Sequence, residues 1–185
     1  MCNSYTGQQI CLMNQLRQLW GQHVYWTRFA IISTAADLDD SDPVTKRLLR
    51  NPKDFAKLFA PIFGMKTAKR FEELFTWHLL IAADLVNAAK KGATQKADIA
   101  RKKWYKNADE IAGFLHCVNH CWSEEKWKDM MYSHLEMTEK EATLRLNGKY
   151  TADINIFDDI ENEAFKMADY MFCGIIKMCS HNKQN

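Results

Sequence analysis

Apolar residues recur at intervals of three and four positions along almost the whole chain, a spacing typical of amphipathic helices. The clearest stripe runs from Phe71 to Ala89 and ends just before Gly92, where a left-handed residue would close a helix. No segment alternates polar and apolar residues as a half-buried strand does. Only seven Gly and three Pro occur among 185 residues, so few turns are expected. The sequence therefore predicts an all-α protein.

The helical pattern divides the chain into four long helices and two or three short ones. Asp42-Pro43 is typical of a helix start, Asn51-Pro52 of an interruption, and Pro61 with Gly64 of a helix end. Ser123 begins one short helix, and the capping box Thr138-x-x-Glu141 begins another, which ends at Asn147-Gly148. Short connections favour antiparallel neighbours, so we expect an up-and-down bundle forming one domain over 1–185, with its core at about 8–178 and a short polar tail at 180–185. The four long helices are predicted at about 8–36, from Phe71 to Gly92, at about 95–118 and at about 150–178.

One short motif occurs three times: two large apolar residues, a gap of two, then a histidine and another apolar residue. The histidines lie 55 and 56 positions apart. On a helix these positions share one face, so each imidazole is expected inside an apolar stripe, where it needs a hydrogen-bond partner or a metal. The three copies are Leu19-Trp20-x-x-His23-Val24, Leu74-Phe75-x-x-His78-Leu79 and Met130-Met131-x-x-His134-Leu135.

Carboxylates at a similar depth would complete a metal site in the bundle. Asn107 and Glu110 lie near the middle of their predicted helix, and Asp153 lies on the apolar face of the last one. Iron, manganese or zinc would suit such a set. The alternative is that each imidazole is a core residue bonded to a nearby carboxylate, amide or hydroxyl, and no Glu-x-x-His spacing occurs on a long helix. The candidate ligands are His23, His78, Glu110, His134 and Asp153.

A second group of metal-binding side chains lies at His116-Cys117-Val118-Asn119-His120-Cys121. Thiolates and imidazoles bind zinc, and Cys173, Cys179 and His181 would supply a second half if the C-terminus folds back. The alternative is a helix end whose cysteines pack and whose histidines favour the negative end of the helix dipole.

Arg28 follows His23 by five positions and must therefore turn outward or pair with a buried acid, with Asp37 and Asp84 as possible partners. Tyr150 and Asp153 are three positions apart and would form an inward polar pair.

The overall charge does not indicate a nucleic-acid or membrane partner, because the formal net charge is only +2. A basic run from Lys90 to Lys106 is interpreted as a solvated helix face, with an acidic partner as the alternative. We see neither an export signal nor an apolar run long enough to cross a bilayer, so we expect a cytoplasmic protein. Its six cysteines are accordingly expected to be reduced and mostly packed as small hydrophobic residues.

Three segments carry a resemblance that covers the chain from about Leu12 to Ile176. The chain resembles a family of uncharacterised all-helical proteins from spore-forming Gram-positive bacteria, which implies a helical fold but no particular activity. More loosely, it is similar to ferritin-like and hemerythrin-like bundles, although the paired His-x-x-x-His and His-x-x-x-Glu spacings of hemerythrin are absent from the long helices. The segments are Leu19-Trp20-x-x-His23-Val24-x-Trp26-Thr27-Arg28 with Ile32-Ser33-Thr34-Ala35-Ala36, the run from His78 to Ala89, and Trp104-Tyr-x-Asn107-Ala-Asp-Glu110-Ile-Ala112.

The sequence thus predicts a helical bundle with a buried pocket of histidines and carboxylates that binds a divalent metal, and it leaves open whether the protein is an enzyme. The alternative is a non-enzymatic structural or interaction module. Such a module could form a homodimer through exposed Trp and Met side chains, namely Trp122, Trp127, Met130 and Met171.

Overall fold

A computed structural model describes residues 5–181, and these form seven helices and no strand. The prediction of an all-α fold is therefore confirmed. The predicted polar tail falls mostly on 182–185, which lie outside the described residues. The helices are α1 (Gly7–Ala35), α2 (Ser41–Leu48), α3 (Asn51–Phe63), α4 (Met65–Lys90), α5 (Thr94–Val118), α6 (Glu124–Leu146) and α7 (Tyr150–His181).

The number of long helices differs from the prediction, because α6 is one continuous helix of 23 residues. Two short helices were expected here, the second beginning at the capping box of Thr138 and Glu141. The Thr138 hydroxyl instead donates to the carbonyl of His134, 2.8 Å away within the same helix. Glu141 is buried and accepts a hydrogen bond from Arg28. Neither side chain therefore caps a helix, and the bundle has five long helices and two short ones.

Glycines end the helices where the sequence indicated, while one proline does not. Gly64 and Gly92 have φ values of +84° and +65°, which favour glycine because it lacks a Cβ atom. Pro52 occupies the first turn of α3, where its missing N–H costs nothing. Pro61 was expected to help end this helix but lies within its last turn, and the helix continues to Phe63.

Five long helices pack in the order α4, α5, α6, α7 and α1, with α2 against α1 and α3 against α4. The connections from α4 through α7 contain three to five residues, so successive helices are antiparallel. Pairs Arg17–Asp169 and Tyr25–Glu161 show that α1 and α7 are antiparallel as well. Helices α1, α4 and α6 consequently run in the same direction, and each of them carries one copy of the histidine motif.

Large aromatic side chains fill the centre of the bundle. Phe59 stacks on Phe71 with ring centroids 4.7 Å apart, and Trp20 meets Phe55 edge-on at 5.5 Å. The side chains proposed for a homodimer surface belong to this core, so that prediction of their exposure is wrong. They are Trp122, Trp127, Met130 and Met171, none of which is more than 5% exposed.

The cysteines do not pack as expected. The five that are described are free thiols, of which Cys121 is half-buried and the other four are exposed. In the described part of the chain, no helix is long and apolar enough to cross a membrane.

A close approach between α7 and Trp122 gives a test of the packing. A Cβ atom at Gly174 would lie 1.9 Å from Nε1 of Trp122, whose buried ring cannot move aside easily. We expect Gly174→Ala to destabilise the protein by about 1–3 kcal/mol in urea unfolding, despite the better helix propensity of alanine. The matched control is Gly113→Ala, where the nearest atom would be 3.8 Å away, and it should stabilise by about 0.5–1 kcal/mol. Equal effects at the two positions would contradict this packing.

Candidate metal centre

The three motif histidines meet in the interior of the bundle. His23, His78 and His134 are each at most 2% exposed, and one potential ligand atom from each lies within 4.8 Å of the other two. The Nε2 atoms of His23 and His134 are 3.3 Å apart. The prediction that these imidazoles converge is confirmed.

The three histidines lie at the same depth in the bundle because their helices share one motif and one direction. In each copy the apolar residue after the histidine is buried: Val24, Leu79 and Leu135. Because α1, α4 and α6 are parallel, the same register of apolar anchors places each histidine at a similar depth on the inner face of its helix.

Helix α5 fixes the orientation of one imidazole. Nδ1 of His78 lies 3.0 Å from Oδ1 of Asn107, whose own amide nitrogen donates to the carbonyl of Leu74 at 3.1 Å. The second contact orients the amide so that its oxygen faces the ring. His78 therefore carries its proton on Nδ1 and presents the lone pair of Nε2, which is how a second contact commonly prepares a histidine for metal binding.

The other two histidines have no such partner. Nδ1 of His23 and Nδ1 of His134 are buried without a hydrogen-bond partner among the described residues. A hydrogen bond between the two Nε2 atoms uses one proton and one lone pair. One ring is then left with a buried N–H and the other with a buried lone pair, so this single contact does not satisfy the pair.

The interior keeps these rings uncharged near neutral pH. Burial lowers the pKa of His78 to about 3 and that of His134 to about 4, and the neighbouring imidazole of His134 adds to the effect on His78. Burial, followed by the proximity of His134 and His78, lowers the pKa of His23 well below its usual value. Neutral imidazole is the form that binds a metal, so no proton has to be removed first.

The spacing suits a small divalent ion. Two nitrogens bound tetrahedrally at about 2.0–2.1 Å from zinc are roughly 3.3–3.4 Å apart. The separation of 3.3 Å between the His23 and His134 nitrogens fits this value. The third ligand atom, from His78, lies within 4.8 Å of the other two.

The expected carboxylate Glu110 does not join this group. Its side chain is 47% exposed and lies 3.9 Å from Lys106. The buried face of α5 contains Asn107, Ala108 and Ile111, and position 110 falls outside it. At the level of the histidines, α5 therefore contributes the amide of Asn107 rather than a carboxylate.

Asp153 is buried as expected, but its side chain pairs with arginines and not with the histidines. Arg28 lies 2.8 Å from Asp153 and 2.5 Å from Glu141, and Arg145 lies 3.4 Å from Asp153. These four charges balance one another, so Asp153 is held by cations and is not part of the histidine group. Burial raises the pKa of Glu141 to about 7, against the opposing effect of Arg28.

The partners proposed for Arg28 and Asp153 from the sequence were wrong. Asp37 pairs with Lys90 rather than with Arg28. Tyr150 is exposed and lies under Arg145, with 4.6 Å between the guanidinium carbon and the ring centroid.

The histidine and cysteine cluster at the end of α5 is arranged as a helix end. His116 donates from Nδ1 to the carbonyl of Trp122 at 2.7 Å, and its ring lies 5.0 Å from that of His120. Among the described residues, the three buried histidines form the one group suited to a metal. The side chain of His181, a candidate for the second half of this site, lies outside the described residues.

A cavity of about 380 Å³ lies one helical turn from the histidines, which do not themselves line it. Thr27, Ala82 and Thr138 line it, and each lies four positions after one of the three histidines, which is just over one helical turn or a rise of about 6 Å. Trp104 lines it from α5, and its ring centroid is 5.3 Å from that of His78. Sequence reasoning missed this cavity, although the hydroxyl residues at the fourth position after two of the histidines were a visible signal.

Comparison with protein families, with curated proteins and with solved structures finds no match for this chain. Its function has to be inferred from the geometry of the site.

The neutral histidines make stability depend on pH. Their pKa values in the folded state lie below the ordinary value of 6.5, so the unfolded chain binds more protons. Their contribution is complete above pH 6.5 and is lost as pH falls toward about 4 for His134 and about 3 for His78. Glu141, with its pKa raised to about 7, acts in the opposite direction, since its contribution is lost as pH rises through 7.

We therefore expect the free energy of unfolding of metal-free protein to decrease steeply between pH 6.5 and 4.5 in urea titrations. His134→Gln should reduce the slope by about 1.4 kcal/mol per pH unit, which corresponds to one proton. His120→Gln, at an exposed position, is the matched control and should keep the wild-type slope. The same slope in all three proteins would show that His134 is not held neutral.

Proposed function

We propose that the protein binds a divalent transition metal, zinc in the first place, through His23, His78 and His134. The observation that carries the proposal is the meeting of three buried, uncharged imidazoles whose ligand atoms lie within 4.8 Å of one another. His78 would bind through Nε2, because Asn107 occupies its Nδ1. His23 and His134 would bind through the Nε2 atoms that face each other.

The cost of burying these rings favours a ligand over a purely structural role. A buried polar atom without a partner costs about 1–3 kcal/mol, and the contact between His23 and His134 leaves two such atoms. A metal bound at the Nε2 atoms would leave both Nδ1 atoms protonated and without a partner, but it would use three lone pairs at once and gain several strong bonds that offset this cost. A structural core does not need three imidazoles at this point, where leucine or phenylalanine would pack without that cost.

The donor set indicates which metals to expect. Three neutral nitrogens suit zinc, copper, nickel or ferrous iron, and they suit magnesium or calcium poorly because those ions prefer oxygen. No Asp or Glu belongs to the group, so it differs from the carboxylate-rich di-metal sites of ferritin-like bundles. Three histidines with one position left open is an arrangement that zinc enzymes use.

Metal content provides the direct test. Protein purified without an affinity tag, incubated with zinc and desalted should retain about one equivalent by elemental analysis. It should also melt at a higher temperature than chelator-treated protein, because the metal binds only the folded state. His134→Ala should weaken zinc binding at least about 100-fold in competition with a chromogenic chelator. His120→Ala should not weaken it. Less than about a tenth of an equivalent in the wild type would contradict the proposal.

The contact from Asn107 can be tested separately as a positioning contact. Asn107→Ala removes the acceptor at Nδ1 of His78 and should weaken zinc binding by about 10–100-fold. Asn107→Asp keeps an acceptor oxygen and should restore most of the affinity. Asn87→Ala is the matched control, because Asn87 also donates to a backbone carbonyl but is exposed. Equal losses with Ala and Asp would indicate a packing role for Asn107.

A further inference from the structure

The cavity beside the histidines has a polar mouth and an aliphatic interior. Its exposed lining residues include Asp42 and Asn87, and its buried ones include Ile31, Leu48, Leu79 and Leu85. A volume of about 380 Å³ falls at the small end of the range for ligand pockets, about 300–1,000 Å³. The cavity therefore suits a small molecule with an apolar body.

Trp104, Thr27 and Thr138 line one end of the cavity, and one of their three side-chain hydrogen-bond donors has no partner. Trp104 is 2% exposed, and its Nε1–H has no partner among the described residues. The hydroxyls of Thr27 and Thr138 already donate to the carbonyls of His23 and His134. A ligand group that reaches this end must therefore accept a hydrogen bond.

Charge favours an anionic acceptor. A divalent ion held by three neutral imidazoles keeps its full charge of +2 in an apolar interior, where an unbalanced charge is costly. Of the two acidic lining residues, Asp42 is exposed at the mouth and Glu139 is paired with Arg101. The counter-charge for the ion has to come from another molecule.

We infer that this cavity binds a small aliphatic carboxylate, whose carboxylate group lies between the metal and Nε1–H of Trp104 and whose chain lies among Ile31, Leu48 and Leu79. The inference rests on the proposed metal site. A carboxylate provides the negative charge and two acceptor oxygens, one for the metal and one for the indole. An aliphatic chain matches the buried lining, where each methylene removed from water contributes about 0.8 kcal/mol.

Octanoate is the probe, titrated by calorimetry into the zinc-loaded full-length protein and into the metal-free protein. We expect it to bind the zinc form at least 10-fold more tightly than the metal-free form. 1-Octanol, which has the chain without the charge, and acetate, which has the charge without the chain, should each bind at least 10-fold more weakly than octanoate.

Two variants test the position of the ligand. Trp104→Phe removes the indole donor and should weaken octanoate binding about 10-fold while zinc affinity stays unchanged. Trp127→Phe is the matched control, because Trp127 is also buried with an unpartnered Nε1 but does not line the cavity. Ala30→Leu narrows the cavity and should weaken octanoate binding at least 10-fold, whereas Ala152→Leu, at an exposed position on α7, should not.

The possible failures can be told apart. If zinc does not bind, the proposed metal site fails, and this inference fails with it. If zinc binds but octanoate does not, or binds equally without zinc, the inference is overturned and the metal site stands. Equal weakening by Trp104→Phe and Trp127→Phe would also overturn it, because the effect would then come from the core.

Discussion

The interior of this bundle depends on keeping three imidazoles uncharged. Removing them from water lowers the pKa of each, and the mutual proximity of His23, His78 and His134 adds to the effect at two of them. Protonating any one ring would place a positive charge among Trp20, Phe75 and Trp104 with no acid to balance it. The packing of α1, α4 and α6 at this level is therefore tied to neutral nitrogen atoms, which are also potential metal ligands.

Because α1, α4 and α6 run in the same direction, the histidine motif that is repeated along the sequence forms one site in the structure. Parallel helices bring equivalent positions of the motif to one depth, so His23, His78 and His134 share a layer and the residues four positions later share the next layer. Helix α5 runs in the opposite direction. Its residue Asn107 reaches the histidine layer, and Trp104, which precedes it, reaches the cavity layer. One turn of helix thus separates the layer of the proposed metal from the layer that would hold the chain of the proposed ligand.

The sequence predicted what local periodicity determines and missed what depends on tertiary partners. The helices, their glycine ends and the burial of the histidines follow from spacing along one chain segment. The partner of a buried carboxylate does not follow from local spacing. Asp153 was correctly expected to be buried, but it pairs with Arg28 and Arg145, and no local signal reveals that pairing. Thr138 and Glu141 match a capping box whether they begin a helix or lie inside one. Only contacts with other helices distinguish a helix start from a helix interior.

The interior separates its charges into two groups, and this separation bears on what the histidine site can bind. Arg28, Arg145, Glu141 and Asp153 balance one another between α1, α6 and α7. Moving Asp153 or Glu141 to the metal would remove one of the two acidic partners of Arg28, whose side chain is only 13% exposed, and would leave the four charges unbalanced. Neither of these carboxylates is therefore readily available to a cation bound by the histidines. An external anion that enters through the cavity balances that charge while leaving the arginine network intact.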